Sequence, residues 1–317
     1  MALPRVSIVT PSFQQAQYLE QTIRSVLEQG YPNLEYWVMD GGSRDGSVEI
    51  IEKYADGLAG WVSERDSGQA EAINKGFARA TGEIIAWVNS DDYYLPGAIQ
   101  AAVAALEQHP DAAMVYGDVV SINGEGETIN IQSFRPLGLE HLMQFNIIGQ
   151  PSVFMRRSAL EKAGYLDLGY HFMLDHQLWL RVAQHGTMVY VPQRWSAARY
   201  HAAAKNIALG PKFGLEAFRV VEWMEHDPAL APIFHRQRRK VMAGVYRYNG
   251  HYLLDAGSYR PALAAYLRSL GYYPPIALPD MKRILYAAAS TLVNLESIKR
   301  AYLERRKNRL RKAGPGE

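Results

Sequence analysis

Apolar residues fall along the first hundred positions in two alternating rhythms. RVSIVT (5–10) is an apolar, β-branched run, the pattern of a strand buried on both faces. In YLEQTIRSVLEQ (18–29), Leu19, Ile23, Val26 and Leu27 recur at helical spacing, and Gly30 supplies a stop. The alternation continues: LEYWVMD (34–40), WVSE (61–64) and EIIAWVN (83–89) read as strands, and VEIIEKYA (48–55) and QAEAINKGFARA (69–80) as helices. Residues 94–109 read as a further helix, AMVYGDVV (113–120) as a strand and SINGEGET (121–128) as a hairpin-type turn. Residues 150–200 add a strand (SVFMRR), a helix (DHQLWLRVAQHG) and a strand (MVYVP). Strands alternating with helices predict βαβ units, hence an α/β fold with a mainly parallel mixed sheet flanked by helices. In such sheets ligands bind beyond the strand ends, so the loops 10–13, 40–45, 64–68 and 89–92 are expected to converge on one crevice.

From about residue 211 the pattern becomes helical throughout. We therefore expect an α/β domain over 1–208 and a helical C-terminal region over 209–317. HYLLDAGSYRPALAAYLRSLGYYPP (251–275) reads as a single helical hairpin. One such unit needs a surface to pack on, either the first domain or a second copy of the chain, which leaves a homo-oligomer open.

Composition changes the picture in two places. Of the 317 residues 48% are hydrophobic and 21% charged, ordinary globular values, and there is no cysteine. That excludes disulfides, thiolate metal sites and thiol nucleophiles, and it suits a reducing cytosol. Of 34 basic and 32 acidic residues, 10 and 3 lie in 282–317, leaving 24 against 29 for residues 1–281. The body is mildly acidic, which argues against nucleic acid as a partner. The tail is basic and amphipathic: Leu285, Ala288, Leu292, Leu295 and Tyr302 share a helix face, and eight cations from Lys299 to Lys312 follow. Such a segment suits an anionic membrane surface; a solvated terminal helix is the plainer alternative. MALPRVSIVTPSF lacks the features of a signal peptide, and ILYAAASTLV (284–293) is too short to span a bilayer. The expected location is the cytoplasm, peripheral to the inner face of the cell membrane.

The chemistry concentrates at AWVNSDD (86–92), where an apolar strand ends in Asn89, Ser90 and two adjacent carboxylates, Asp91 and Asp92. Two neighbouring carboxylates raise each other's pKa and call for solvent, a basic partner or a hard divalent cation with oxygen ligands. Capping of the next helix by Asp92 is the bland alternative. Asp40 and Asp45 suit turn hydrogen bonds, and Lys75 a solvated helix face. TPSFQQ after the first strand is neither G-x-G-x-x-G nor a glycine-rich, lysine-bearing activating loop, which disfavours a dehydrogenase and a nucleotidyltransferase. A non-catalytic binding protein that kept the crevice stays as the other rival.

The ordered set SIVTPSF (7–13) with YLEQTIRSVLEQGYPNLE after it, VMDGGSRDGS (38–47) and SERDSGQAEAINKGFARATGEIIAWVNSDDYYLPGAI (63–99) resembles the family 2 glycosyltransferases, over roughly residues 5–205. The resemblance implies a GT-A, Rossmann-like fold and inverting transfer from a nucleotide-sugar, UDP- or dTDP-linked, to a saccharide or lipid-linked saccharide in surface polysaccharide or O-antigen assembly. It implies Asp92 as ligand of Mn²⁺ or Mg²⁺, with Asn89 and Asp91 beside the donor ribose or sugar. It implies Asp40 at the base, with Thr10, Pro11 and Phe13 lining that pocket. Asp66, Gly68 and Gln69 would give a second base or ribose contact, and Lys75 a charge at the donor phosphates. FMLDHQLWLRV (172–182) resembles the family's second acidic motif and puts Asp175 at the general base position. It departs from the pattern at Leu174, where a second acid is usual, so His176 competes, and Asp175 could also serve as an N-cap. QPSVF (150–154) resembles a segment facing the acceptor or donor sugar through Gln150. ARYHAAAKN (198–206) resembles one where a histidine, here His201, completes metal coordination.

Overall fold

A computed structural model describes residues 3–201 and 209–293 of the chain. Tertiary contacts divide it into two compact units: Met1–Gly138 with Ile148–Arg199, and Leu139–Ile147 with Tyr200–Glu317.

The first unit is built on β1 (Val6–Ser12), α1 (Ala16–Leu27), β2 (Leu34–Asp40), α2 (Ser47–Lys53), β3 (Gly60–Ser63), α3 (Gln69–Arg79) and β4 (Ile84–Trp87). The chain then runs through β5 (Tyr93–Tyr94), α4 (Ala98–Gln108), β6 (Ala112–Asn123) and β7 (Thr128–Gln132). After the short α5 (Leu139–Met143), which belongs to the second unit, come β8 (Val153–Arg156), α6 (Arg157–Ala163), α7 (Leu174–Val182) and β9 (Thr187–Tyr200). Among the described residues the strands form one nine-stranded sheet in the order β3-β2-β1-β4-β8-β6-β9-β5, with β7 on β6. The β3-β2-β1-β4 half is parallel, and β8 turns antiparallel to both β4 and β6. This is the α/β sheet flanked by helices that the alternating pattern predicts, in the GT-A-like mixed form that the resemblance implies.

The parallel half explains the uninterrupted apolar runs. Every residue of β1 is buried, because helices cover both faces of such a sheet. α1 buries Leu19, Thr22, Ile23 and Val26, one face of a helix with spacing near 3.6. α3 lies close against β1 because Gly76 faces Val9: a Cβ there would stand 2.4 Å from Val9 Cγ1. Register then sets the site. Ser12, Asp40 and Ser63 lie level across β1, β2 and β3, so the three loops leave the sheet side by side.

Three elements run differently from the pattern. β6 extends to Asn123, and a hairpin returns through β7, whose residues are all half-buried and give no clear period. β9 continues from Val191 through Arg199 to Tyr200, well past MVYVP. Tyr93–Tyr94 forms a short strand paired with β9, so the helix predicted from residue 94 starts at Ala98.

Among the described residues the second unit holds α5 and four longer helices: α8 (Gly210–His226), α9 (Ala231–Asp255), α10 (Tyr259–Tyr272) and α11 (Met281–Ser290). The predicted hairpin is the end of α9, the turn at Gly257 and α10. Leu254, Ala262, Tyr266, Ile284 and Ala287 form its small core. Among the described residues no helix is long and apolar enough to cross a membrane. The stretch 202–208 and the tail from 294, with Leu295, Tyr302 and the eight cations, lie outside the described residues.

Candidate active site

At the end of β2 and beyond the end of β3 stand two carboxylates, one buried in its turn and one half-buried. Asp40 is 3% exposed and closes the glycine turn after β2. It accepts hydrogen bonds from Gly42 N (2.9 Å), Ser43 N (2.8 Å), Ser43 Oγ (2.6 Å) and Ser63 Oγ (2.7 Å). A carboxylate has about four acceptor positions, so Asp40 is committed to the turn. Asp45 makes turn bonds of the same kind, accepting from Ser47 N, Ser47 Oγ and Ala16 N at the start of α1. Asp66 differs. Its Oδ1 accepts from Gly68 N (2.9 Å), while a Cβ on Gly41 would meet Oδ2 at 2.8 Å and Phe13 Cδ2 at 3.2 Å. Glycine at 41 is what lets the Asp66 carboxylate and the exposed Phe13 ring close around the end of β2. Burial pushes the Asp66 carboxyl up, with the Glu71 and Asp40 charges adding to it. Thr10 and Pro11 are buried in β1, and the Thr10 hydroxyl is hydrogen-bonded to Tyr36 OH at 2.9 Å. Lys75, expected at the donor phosphates, is held in ion pairs by Glu64 (2.8 Å) and Glu71 (2.9 Å).

Beyond β4 lies the acidic turn. Asn89 is its hub: it accepts from Gln69 Nε2 (2.7 Å) and donates to Gln150 Oε1 (3.1 Å) and Asp92 Oδ2 (3.3 Å). Gln150 in turn donates to the Trp87 carbonyl (2.8 Å). Gln69, Asn89 and Gln150 are thus joined in one chain of amides that ends on the Asp92 carboxylate. Asp92 is 6% exposed, and its Oδ1 accepts the backbone N–H of Arg199 (2.8 Å). Burial, then the charge of Asp91, push the Asp92 carboxyl well above its usual range; the bonds from Arg199 and Asn89 pull against that shift. Asp92 does not cap a helix, since α4 begins behind Gly97.

This donor set fits a divalent cation. Each Asp92 oxygen accepts one hydrogen bond and keeps a lone pair, and burial beside Asp91 outweighs the Arg199 charge, so a further positive charge would stabilise the ionised form of Asp92. Among the described residues no group of three or more His, Asp or Glu could hold a metal by itself, so a cation there would need oxygens from a ligand or water. His201 directly follows β9 and belongs to the second unit.

Asp175 and His176 lie on α7. Its N-cap is Met173, so Asp175 lies within the first turn, where the helix dipole favours an anion. Asp175 is half-buried, and its Oδ1 accepts the His176 N–H at 2.7 Å. His176 is buried at 1% exposure and packs into the core instead. Trp179, one turn on and on the same helix face as Asp175, stacks on Trp87 with ring centroids 5.1 Å apart. That stack anchors α7 to the strand that leads into the acidic turn. Two residues that the motifs did not single out, Thr22 and Arg199, also bind this turn. Arg199 lies in ARYH but gave no catalytic signal, and Thr22 reads in sequence only as one more helix residue.

A mixed sheet whose parallel strands β1–β3 end side by side, with an acid pair beyond β4, is a GT-A-like arrangement. Residues 7–164 match Glycosyl transferase family 2. An uncharacterized glycosyltransferase of Mycobacterium tuberculosis is 30% identical over 186 residues, 57% of this chain and 69% of that protein. The putative teichuronic acid biosynthesis glycosyltransferase TuaG of Bacillus subtilis is 27% identical over 192 residues, 59% of this chain and 75% of TuaG. Among solved structures, residues 1–349 of Staphylococcus aureus TarS in complex with UDP-GlcNAc align with a TM-score of 0.59 at 14% identity, covering 88% of this chain and 92% of that one. The mannosyltransferase PcManGT from Pyrobaculum calidifontis, in complex with GDP-Man and Mn²⁺, gives 0.60 at 19% identity, covering 92% and 88%. The chain belongs to glycosyl transferase family 2 and is a glycosyltransferase.

Proposed function

We propose that this glycosyltransferase is metal-dependent and inverting, and moves a sugar from a UDP- or dTDP-sugar to a hydroxyl of a saccharide or lipid-linked saccharide in cell-surface glycan assembly. The observation that carries this reading is Asp92: a buried acid beside a second acid, pushed up in pKa, with lone pairs free on both oxygens. TuaG, named for teichuronic acid biosynthesis, and a Mycobacterium bovis relative named for PGL/p-HBAD biosynthesis, 27% identical over 193 residues, support the surface-glycan setting. The complexes of TarS with UDP-GlcNAc and of PcManGT with GDP-Man and Mn²⁺ support a nucleotide-sugar donor and a divalent cation.

Each residue has a part in this reading. Phe13 and Asp66 receive the base, Asp66 accepting from a ring N–H while Asp40 keeps the pocket's floor rigid. Asn89, Gln69 and Gln150 hold the ribose and sugar side of the crevice. Mn²⁺ or Mg²⁺ bound at Asp92, with His201 as a further candidate ligand, would supply Lewis-acid neutralisation of the leaving diphosphate. Asp175 accepts the proton of the acceptor hydroxyl as that oxygen attacks the anomeric carbon from the face opposite the leaving group. His176 is disfavoured as the base by its burial.

The test is nucleotide-sugar turnover, by transfer or slow hydrolysis, with and without Mn²⁺. Asp92→Asn should reduce turnover by at least about a hundredfold with the melting temperature maintained, since a metal-held charge contributes several kcal/mol in the transition state. Full activity in that variant sinks the metal assignment. Asp175→Asn should lose transfer while donor binding persists; an active variant moves the base elsewhere. Equal turnover with chelator and with metal defeats the metal-dependent reading as a whole.

A further inference from the structure

Arg199 is buried in β9 with 5% exposure, and its guanidinium ends on backbone carbonyls and an amide. Nε donates to the Asp91 carbonyl (3.0 Å). Nη1 donates to the carbonyls of Gly124 (3.0 Å) and Asn123 (3.3 Å) at the β6–β7 turn, and Nη2 to Gln21 Oε1 on α1 (2.6 Å). The Tyr18 ring lies 4.5 Å from the guanidinium carbon and the Tyr93 ring 6.0 Å. These are neutral partners and aromatic faces, which orient a guanidinium without neutralising it. The backbone N–H of the same residue binds Asp92 Oδ1 at 2.8 Å.

On its other side the turn meets Thr22, whose hydroxyl contacts the carbonyls of Ser90 (3.0 Å) and Asp92 (2.6 Å). The three consecutive carbonyls of Ser90, Asp91 and Asp92 are therefore each engaged by a side chain from outside the turn. Thr22 and Gln21 adjoin on α1, so Arg199 and α1 close around the turn as two jaws, with Gln21 bridging them. With its carbonyls turned outward to these donors, the turn's conformation is set before any ligand arrives. A fixed cation stands behind it, on the backbone side.

We propose that Arg199 is a positioning residue for sugar transfer: it clamps the 90–92 turn so that the Asp91 and Asp92 carboxylates are preset for the metal–diphosphate end of the donor, without touching the donor itself. This deepens the reading given above and rests on it for the identity of the ligand. A lysine here keeps the charge but presents one point donor group in place of a planar fork, so it cannot serve Asp91, Asn123, Gly124 and Gln21 together.

The experiment has two arms on the full chain, with Arg199→Lys and Arg199→Met. Both must first show a cooperative melt and the wild-type far-ultraviolet circular dichroism. The first arm needs no ligand. Amide hydrogen exchange over peptides covering 89–95 should rise about tenfold or more in both variants, while peptides from β1 and β2 keep their wild-type rates. Unchanged exchange at 89–95 overturns the clamp, as does a rise of equal size through the whole first unit. The second arm compares uridine with UDP plus Mn²⁺ by calorimetry. Uridine samples the pocket over β1–β3 and should bind the variants as it binds wild type, whereas UDP with metal should weaken about tenfold or more. A merely structural defect would weaken both equally, and that result overturns the positioning role. If wild type itself gains nothing from Mn²⁺ in binding UDP, the metal-dependent reading fails, and the exchange arm alone decides whether Arg199 clamps the turn. Should neither variant fold, Gln21→Ala, which removes one outer partner only, replaces them with the same two readouts and the same directions.

Discussion

Asp40 and Asp66 are both aspartates, at the end of β2 and just beyond the end of β3, and their surroundings differ. Asp40 faces four donors and is part of the backbone's own architecture. Asp66 accepts one hydrogen bond on Oδ1, and burial raises its pKa, so its ionised form gains from a further donor. Two substitutions tell the two apart. Asp66→Asn should lower uridine affinity about tenfold, the scale of one hydrogen bond to a charged acceptor, and leave the melting temperature near wild type. Asp40→Asn should cost about 2 kcal/mol of stability, because the introduced amide N–H₂ meets groups that themselves donate. Urea melts and uridine titrations of both variants check this. Asp40→Asn losing uridine binding with unchanged stability, while Asp66→Asn binds normally, would return the base contact to Asp40.

At the scale of elements, the loop that carries Asp66 is fastened to α3 by an acid. Glu71 in the first turn of α3 accepts from Ser67 N (2.8 Å) and Ser67 Oγ, and pairs with Lys75 at 2.9 Å. The Ser67 hydroxyl first, then Lys75, bring its carboxyl from an ordinary 4.5 down to about 2. A folded-state pKa below the unfolded one means a contribution to stability that is complete above about pH 4.5 and is lost as pH falls towards 2. Glu71→Gln removes that contribution, so its melting temperature should fall less steeply than wild type between pH 5 and 3; parallel acid limbs would show that Glu71 does not fasten the loop. Elements also show what a sequence can display. The alternating runs from Val6 to Trp87 were legible because parallel strands and amphipathic helices write their burial into residue order. NSDD was legible because paired acids after an apolar strand have few physical readings. β7 was not, since its half-buried residues carry no clean period, and neither was the length of β9, whose QRWSAARY mixes charge with apolar residues. Thr22 and Arg199 were illegible for a deeper reason. Their partners in the 90–92 turn are backbone carbonyls 68 to 108 residues away, and a backbone carbonyl has no letter in the sequence.

For the whole molecule, charge and apolar exposure point to where it works. Residues 282–317 carry 10 of the 34 basic residues, while the remainder of the chain is net acidic. The second unit leaves Leu278, Met281, Leu285 and Leu292 exposed, Leu285 at 61% and Leu292 at 86%, at spacings of 3, 4 and 7 along the chain. Ile284 and Ala287 of α11 face inward to Tyr266 and Ala262, so the outward leucines are spare to that core. An apolar stripe followed in sequence by eight Lys/Arg from Lys299 to Lys312 matches an anionic bilayer, where each cation near the surface contributes about 1 kcal/mol and salt screens it. The full chain should therefore sediment with vesicles containing phosphatidylglycerol and stay in the supernatant with pure phosphatidylcholine. Raising salt to about 0.5 M should release most of it, because the Debye length then shrinks to a few ångströms. Leu285→Glu should weaken sedimentation about tenfold without moving the melting temperature, as it adds a charge to a residue that touches solvent in the free protein. Equal sedimentation with both lipids would remove the electrostatic part. A stable dimer that sediments with neither lipid would assign the stripe to a second copy of the chain. Membrane binding would also bear on the acceptor: a saccharide carried on a lipid is confined to the same surface, so anchoring raises its effective concentration at Asp175 without any further contact.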